Sequence, residues 1–269
     1  MNHLMYTALV GLIQGLTEFL PVSSSGHLIL LPYFLHQPDQ GLVVDMAANL
    51  GTLAALLLYF WRDVLGLFKG LTQHKQRATW HLPEAKMLRF LVVGALPGLL
   101  VGFVLMLFDA TDSLRQPLLI AATMAGFGLL LGFADYKGAK NIPLTSLNWR
   151  HVLVVGFAQI LAFLPGTSRS GVTMTVGLLM GLERAAAARF SFLLSIPTVG
   201  AACAAVLAKF ALNPPSVVPW AVLGVATATA FVAGLLAIHV LLRWVSHHSF
   251  MPFVVYRLAL AAVIVVVLV

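Results

Sequence analysis

Charge is scarce in this chain. Only 9% of its 269 residues are Asp, Glu, Lys or Arg, whereas soluble globular domains carry about 25%. Hydrophobic residues make up 60% of the sequence, and the mean hydropathy is +0.96. This composition excludes an ordinary soluble domain and predicts an integral membrane protein.

The chain has a single cysteine and no nucleotide-binding motif. The single cysteine, Cys203, excludes an internal disulfide and a cysteine-based metal cluster, and its apolar neighbours indicate a packing role. No G-x-x-x-x-G-K-[ST] or G-x-G-x-x-G pattern occurs, which argues against a kinase or another nucleotide enzyme. The net charge of +7 is typical of cytoplasmic loops, so no nucleic-acid partner is expected.

The apolar segments fall into two length classes. Six are long enough to span a bilayer, and four shorter ones come in two pairs, each pair joined by a polar stretch. A helix of 14 residues rises about 21 Å, short of the roughly 30 Å hydrocarbon core. The sequence therefore predicts an all-α polytopic protein with two re-entrant helix hairpins. The long segments are 43–61, 88–108, 117–134, 186–208, 217–242 and 250–269, and the short ones are 5–20, 28–35, 151–164 and 172–182.

The distribution of Lys and Arg predicts an orientation. Basic residues concentrate in segments 62–89 and 135–150 and follow the fifth span at Arg243. The positive-inside rule makes these segments cytoplasmic. Both termini would then lie outside, the first hairpin would enter from outside, and the second would enter from the cytoplasm. The first segment holds Arg62, Lys69, Lys75, Arg77, Lys86 and Arg89, and the intervening loops hold only Lys209 and Arg115 beside Asp109 and Asp112.

The two polar stretches resemble each other. GLIQGLTEFLPVSSSG (11–26) and GFAQILAFLPGTSRSG (156–171) share G-x-x-Q, F-L-P, a serine three residues after the proline, and a final glycine. One residue must be slipped between the Gln and the Phe. This predicts an inverted repeat within one membrane domain, with halves at about 1–134 and 151–269 and a cytoplasmic linker at 135–150. Such repeats place their sites near the bilayer midplane.

The first polar stretch carries candidate catalytic groups. Glu18 is an ionisable residue at membrane depth, which is a functional hypothesis by default. Gln14 lies one helical turn earlier, so the pair could offer oxygen ligands to Mg²⁺ or Ca²⁺, or form a structural hydrogen bond. Ser24 and His27 are three residues apart, so a helical turn would bring hydroxyl and imidazole together. Either Ser24 with His27 as its base, or His27 itself, could attack phosphorus.

The second stretch indicates phosphate binding. The permanently charged guanidinium of Arg169 fits phosphate bidentately, and a helix N-terminus that follows favours an anion. Gly166 and Gly171 would allow close backbone approach. A purely structural ion pair of Arg169 with Glu18 is the alternative. The predicted substrate-binding residues are Ser23, Ser168, Ser170, Thr173, Gly166 and Gly171.

Further polar residues occur inside the apolar spans. Asp45, Asn49 and Thr52 recur at helical spacing, so they share a face that could line the cavity or form interhelical hydrogen bonds. Arg257, early in the last span, is assigned a structural role, either by snorkelling or by pairing with a neighbouring carbonyl.

These motifs resemble those of the bacterial undecaprenyl-diphosphate phosphatase family, the bacitracin-resistance proteins. The resemblance rests on QGLTEFLPVSSSGH at 14–27 and PGTSRSGVT at 165–173, and continues through 181–197 and 252–257. It implies hydrolysis of undecaprenyl diphosphate to the monophosphate, which recycles the lipid carrier of peptidoglycan synthesis and confers bacitracin resistance. It also implies a divalent cation, a bacterial inner-membrane location with the site facing outside, and a homodimer.

The resemblance also implies residue roles. Glu18 and Gln14 would handle metal or water, although many members have Glu where this chain has Gln14. Ser24 or His27 would attack the terminal phosphorus. Arg169, with Ser168, Ser170 and Thr173, would hold the diphosphate.

A transporter is the competing interpretation. Inverted repeats with broken helices are the usual design of secondary transporters, so the protein could move a polyprenyl phosphate without cleaving it. A carrier needs donors for phosphate but no nucleophile beside a base, and this difference favours the phosphatase.

Overall fold

The computed structural model describes residues 2–73, 83–108, 114, 116–212 and 219–268. Within these ranges the chain is helical, apart from turns and one isolated bridge between Ile142 and Leu182. Short 3₁₀ turns cover Leu144–Ser146 and Gln159–Phe163. The α-helices are α1 His3–Phe19, α2 Ser24–Leu35, α3 Leu42–Tyr59, α4 Trp61–Gln73, α5 Pro83–Leu107, α6 Pro117–Lys137, α7 Trp149–Ala158, α8 Arg169–Leu179, α9 Arg184–Leu212, α10 Trp220–Val245 and α11 Met251–Leu268.

Six helices of the described chain are long and apolar enough to cross a bilayer: α3, α5, α6, α9, α10 and α11. They coincide with the six long segments predicted from the sequence, so the protein is a multi-pass membrane protein. Their ends differ by a few residues, most at α5, which begins at Pro83 instead of 88. The residues Lys75, Arg77, Asp109, Asp112 and Arg115, on which part of the orientation argument depends, lie outside the described residues.

The treatment of 62–89 as a loop is wrong for most of its described residues. Helix α4 begins at Trp61 and runs to Gln73, and α5 already begins at Pro83. The reason is visible in the side chains of α4. Val64 and Leu67 are half-buried, whereas Trp61, Leu65 and Phe68 form an exposed stripe at helical spacing. A count of basic residues detects the charged segment but not its amphipathic helix.

Two of the short helices, α2 and α8, begin with the same local geometry. Helices α2 and α8 each follow a serine N-cap in the left-handed region, Ser23 at φ 76° and Ser168 at φ 73°. Each serine oxygen accepts a hydrogen bond from the backbone N–H of a glycine three residues later, Gly26 at 3.3 Å and Gly171 at 3.1 Å. Side-chain capping of this kind satisfies an N–H that the helix leaves unpaired.

This geometry corrects the pairing of the two stretches by one residue. Ser23 corresponds to Ser168, and therefore Ser24 corresponds to Arg169, not to Ser168 as predicted. The cause is the length of the turn, since one residue separates Pro21 from its cap and two separate the second proline from Ser168.

Close helix contacts hold α1 and α3 against α10. A methyl group at Gly15 would lie 2.5 Å from the carbonyl oxygen of Ala230, and one at Gly51 would lie 2.3 Å from that of Thr227. Small residues of this kind let membrane helices approach at the backbone. The contact brings the end of α1, with Glu18, beside α3 and its Asn49.

Candidate active site

Glu18, near the end of α1, is the centre of a polar cluster. Its Oε2 accepts hydrogen bonds from Nε2 of Gln14 at 3.0 Å and from Oγ of Ser24 at 2.6 Å. Its Oε1 forms an ion pair with Nη2 of Arg169 at 2.5 Å. The two polar stretches therefore meet, and the predicted common face of Gln14 and Glu18 is confirmed. The side chains of Arg169 and Glu18 remain 19% and 12% exposed, so the pair is shielded but accessible.

Arg169 is the first residue of α8, and its guanidinium lies between Glu18 of α1 and Thr198 of α9. Its Nη1 donates to Oγ1 of Thr198 on α9 at 2.7 Å. The bonds to Glu18 and Thr198 use two of the five N–H donors that a guanidinium carries. Thr198 was not predicted, although its spacing from Ser191 and Ser195 on α9 would have indicated a shared helix face.

The predicted pairing of Ser24 with His27 is wrong. Ser24 donates to Glu18 instead, and the imidazole of His27 has partners at both nitrogens. The N-cap explains the difference. Because Ser23 caps α2, Ser24 occupies the first helical position and its side chain turns back towards the end of α1.

His27 is held between a carbonyl and a phenol. Its Nδ1 lies 2.7 Å from the carbonyl oxygen of Ser23, and its Nε2 lies 2.6 Å from the hydroxyl of Tyr256. A carbonyl can only accept, so Nδ1 carries the proton, and Nε2 of the neutral ring accepts from Tyr256. The two rings are also stacked, with centroids 5.7 Å apart. Sequence reasoning missed Tyr256, although it lies in the 252–257 motif.

The other hydroxyls around Arg169 are near it but have protein partners. Ser170 donates to the carbonyl oxygen of Leu20 at 3.1 Å, which links the second stretch to the first. The hydroxyl of Thr173 lies 2.7 Å from that of Ser191 and donates to the carbonyl oxygen of Arg169 at 2.9 Å. With Ser23 and Ser168 acting as caps, these predicted substrate-binding residues order the loops in this structure.

Gly166 and Gly171 serve close packing inside the protein. Gly166 has φ +87°, and a methyl group there would lie 2.2 Å from Oγ1 of Thr123. The same Thr123 hydroxyl donates to the carbonyl oxygen of Pro165 at 2.5 Å. A methyl group at Gly171 would lie 3.1 Å from Nη1 of Arg257. Both glycines therefore allow neighbouring protein groups to approach the loop.

Arg257 is fully buried and joins the two polar stretches. Its guanidinium donates to one carbonyl of the first stretch and two of the second, at 2.9–3.2 Å. Two more bonds reach carbonyls of α6, so all five N–H donors are used. The structural role is confirmed, by carbonyl pairing and without snorkelling. The acceptors are Pro21, Gly166, Thr167, Thr123 and Met124.

The oxygen groups that could hold a cation are few. Nε2 of Gln14 donates to Oδ1 of Asn49 at 3.0 Å as well as to Glu18, which connects α3 to the site. No group of three His, Cys, Asp or Glu side chains with metal-binding spacing occurs among the described residues. One carboxylate with two amides resembles Mg²⁺ sites in which protein ligands are few and substrate phosphates complete the coordination. The residues therefore fit a cation shared with phosphate better than a protein-only site.

Of the predicted cavity residues, only Asn49 joins the cluster. Asp45 is half-buried one turn earlier, and its carbonyl accepts from Nδ2 of Asn49 at 2.8 Å. Thr52 is buried and donates to the carbonyl oxygen of Asn49 at 2.8 Å, so its bond stays within α3.

Fold and cluster together define a class: an all-helical, multi-pass membrane protein in which a carboxylate, a serine and a guanidinium meet at the starts of two broken helices. Comparison with known proteins makes the assignment specific. The chain belongs to the bacitracin resistance protein BacA family, whose model matches residues 7–263. The resemblance found in the sequence motifs is thus confirmed.

Individual relatives carry the name undecaprenyl-diphosphatase. The protein of that name from Marinobacter nauticus is 44% identical over 261 residues, which cover 96% of this chain and 97% of the relative. The one from Magnetococcus marinus is 44% identical over 272 residues, 97% of each chain. The one from Moorella thermoacetica is 44% identical over 259 residues, 96% of this chain and 95% of the relative.

Proposed function

We propose that the protein hydrolyses undecaprenyl diphosphate to undecaprenyl phosphate and inorganic phosphate. The observation that carries the proposal is the 2.6 Å hydrogen bond from the Ser24 hydroxyl to Oε2 of Glu18. The other carboxylate oxygen of Glu18, Oε1, lies 2.5 Å from Nη2 of Arg169. A hydroxyl, a proton acceptor and an anion-binding group thus converge on one point. The names of the similar proteins support the identity of the substrate.

The geometry supports a covalent mechanism with Ser24 as nucleophile. Its oxygen attacks the terminal phosphorus, and its proton passes to Glu18. The bond from that phosphorus to the bridging oxygen breaks, and undecaprenyl phosphate leaves with the electron pair. The leaving phosphate oxygen takes the proton from Glu18, which restores the carboxylate. Glu18 then deprotonates a water molecule that attacks the phosphoserine, and the same proton returns to the Ser24 oxygen as inorganic phosphate is released. Arg169 stabilises the charge on the transferred group, and such electrostatic positioning dominates phosphoryl transfer.

The contacts of His27 support a different role for this residue. Its Nδ1 proton faces the carbonyl of Ser23, and its Nε2 lone pair faces Tyr256. Attack on phosphorus would require Nε2 to leave that hydrogen bond, whereas the Ser24 hydroxyl already contacts its base. His27 is therefore assigned to holding the first turn of α2, and Ser24 to attack.

A divalent cation, Mg²⁺ or Ca²⁺, is proposed as the cofactor. Glu18, Gln14 and Asn49 would hold it together with phosphate oxygens of the substrate. When bound, the cation supplies positive charge that offsets the charge on the diphosphate. The chain's own residues orient the phosphate and accept the proton.

The proposed topology places this chemistry in the bacterial inner membrane with the site open to the outside. Two equally capped helix starts, at Ser23 and Ser168, support two re-entrant hairpins in an inverted repeat with halves at about 1–134 and 151–269. The same function would recycle the peptidoglycan lipid carrier and confer bacitracin resistance. The homodimer implied by the family resemblance stays a prediction.

Phosphate release from undecaprenyl diphosphate by the purified protein in detergent tests the proposal. We expect Ser24→Ala to lower release by about a thousandfold or more, because the nucleophile is lost. Ser25→Ala is the matched control, since this exposed serine in the same turn makes no contact with Glu18. His27→Gln should retain far more activity than Ser24→Ala.

Two results would contradict the assignment. Near-normal release by Ser24→Ala with loss in His27→Gln would make the histidine the nucleophile. No release by folded wild-type protein that still binds the substrate would leave the lipid-phosphate transporter as the function.

A further inference from the structure

A cavity lies away from the catalytic cluster, at the end of the helices where the basic segments occur. It has a volume of about 440 Å³ and lies among α4, the start of α5, the Leu144–Ser146 turn and the first part of α9. Arg189 on α9 lines it, nine residues before Thr198, which corresponds to about 14 Å along the helix. A cavity of this volume matches a small ligand or a lipid head group.

The cavity contains one internal ion pair and two further charges of opposite sign. Arg189 donates two hydrogen bonds from Nη2 to the carboxylate of Asp63, at 2.7 and 2.9 Å, so these two charges offset each other. The Arg62 guanidinium lies 5.2 Å from the centroid of the Trp61 ring and has no hydrogen-bonding or ionic partner within the described part of the chain. Glu84 has no hydrogen-bonding or ionic partner there.

Glu84 lies against α4 at Gly66. A methyl group at Gly66 would lie 3.4 Å from Cγ of Glu84, so the side chain passes directly over α4. A cation and an anion thus line the same cavity from different helices. The matching ligand carries an anionic and a cationic group of its own.

The outer surface of α4 indicates where this ligand comes from. Trp61, Leu65 and Phe68 lie at positions i, i+4 and i+7 and are 49%, 50% and 60% exposed. An exposed apolar stripe on an amphipathic helix is typical of a helix that lies in the membrane interface. Arg62, one residue after Trp61, stands at the border between this stripe and the cavity. A head group in the cavity would therefore continue into acyl chains along the stripe.

We propose that this cavity binds the head group of an aminophospholipid from the surrounding leaflet. Arg62 binds the phosphate, Glu84 accepts hydrogen bonds from the primary ammonium, and the acyl chains lie against Leu65 and Phe68. A quaternary ammonium has no N–H to donate, so phosphatidylcholine lacks the Glu84 contact. An anionic phosphatidylglycerol lacks the ammonium and places no cation beside Glu84.

Native mass spectrometry of the full-length protein tests the proposal with dioleoyl phosphatidylethanolamine, phosphatidylcholine and phosphatidylglycerol at equal concentrations. We expect the wild type to retain phosphatidylethanolamine about five- to tenfold better than phosphatidylcholine, because charge-assisted hydrogen bonds are the strong ones. Glu84→Gln should reduce phosphatidylethanolamine retention to the phosphatidylcholine level. Arg62→Gln should reduce the retention of all three lipids.

Arg243→Gln is the matched control, because it removes an exposed cation of α10 that does not line the cavity. It should leave retention unchanged, and water-soluble glycerophosphoethanolamine at the same concentration should not displace the lipid. Equal retention of phosphatidylethanolamine and phosphatidylcholine by the wild type would overturn the proposal. Unchanged retention of phosphatidylethanolamine by Glu84→Gln would also overturn it. The same holds if the wild type prefers phosphatidylglycerol and Glu84→Gln does not alter that preference.

Discussion

Replacing Arg257 by lysine should weaken both the fold and the catalytic cluster. The five guanidinium N–H groups each have a carbonyl acceptor at 2.9–3.3 Å, and the residue is fully buried. A lysine ammonium has three donors, so at least two of the five hydrogen bonds are lost. Each lost bond to the charged group costs about 1–3 kcal/mol, so the change should cost about 2–6 kcal/mol. That is a large share of the roughly 5–15 kcal/mol by which folded proteins are stable.

The loss should be visible in two measurements. Thermal unfolding of the purified protein, followed by intrinsic fluorescence, should show a melting temperature lower by at least about 5 °C. Phosphate release should fall more than tenfold, because Arg257 binds backbone carbonyls of both polar stretches, which carry Ser24 and Arg169 to Glu18. Arg243→Lys, the same substitution at an exposed site of α10, should change neither quantity. A melting temperature within about 2 °C of wild type, with normal phosphate release, would refute the reasoning.

Three further predictions concern the catalytic cluster. Gly166→Ala should lower the melting temperature and phosphate release, because a methyl group at φ +87° would meet the Thr123 hydroxyl at 2.2 Å. Gly126→Ala is the control, since a methyl group there has no neighbour within 4 Å. Equal melting temperatures of the two variants would contradict the packing argument. Arg169→Lys should leave the protein folded and lower kcat by about a hundredfold, since the bidentate donors are lost. An effect on KM alone would mean that the arginine only binds substrate. Removal of divalent cations with EDTA should lower phosphate release and added Mg²⁺ or Ca²⁺ should restore it, whereas full activity in EDTA would exclude the cation.

The spans could be predicted because bilayer thickness sets a length that the sequence shows directly. Runs of about 20 apolar residues have no other common explanation, and six such runs correspond to six helices. Helix α4 could not be found in the same way, because its apolar positions alternate with charges. Its signal is the periodicity of Trp61, Leu65 and Phe68, which a count of basic residues ignores.

The meeting of Glu18 with Arg169 could also be predicted. Two opposite charges at membrane depth stabilise each other, and few other arrangements are tolerated there. The partner of Ser24 could not be predicted, because it depends on which serine caps α2. A shift of the cap by one residue rotates Ser24 by about 100° around the helix axis and changes its neighbour.

Contacts made by uncharged polar residues between distant parts of the chain left the weakest signals. Tyr256 reaches His27 across 229 positions, and Thr198 reaches Arg169 across 29. The spacing of Thr198 and the motif around Tyr256 mark a helix face and a conspicuous segment, but neither identifies the partner. Their roles depend on how α9 and α11 pack against the two short helices, which no local pattern encodes.

The two helix starts have the same shape and different chemistry. Ser23 and Ser168 cap their helices in the same way, and the residue that follows is Ser24 in one case and Arg169 in the other. The first helical side chain of each reaches Glu18, the Ser24 hydroxyl at one carboxylate oxygen and the Arg169 guanidinium at the other. Two positive helix ends at one point also favour a doubly charged anion more than one could. Exchanging the two residues would keep two helix starts at this point but move the hydroxyl to the other oxygen of Glu18. In the proposed mechanism the caps would therefore set where the phosphate binds, and the next residue would set from which side it is attacked.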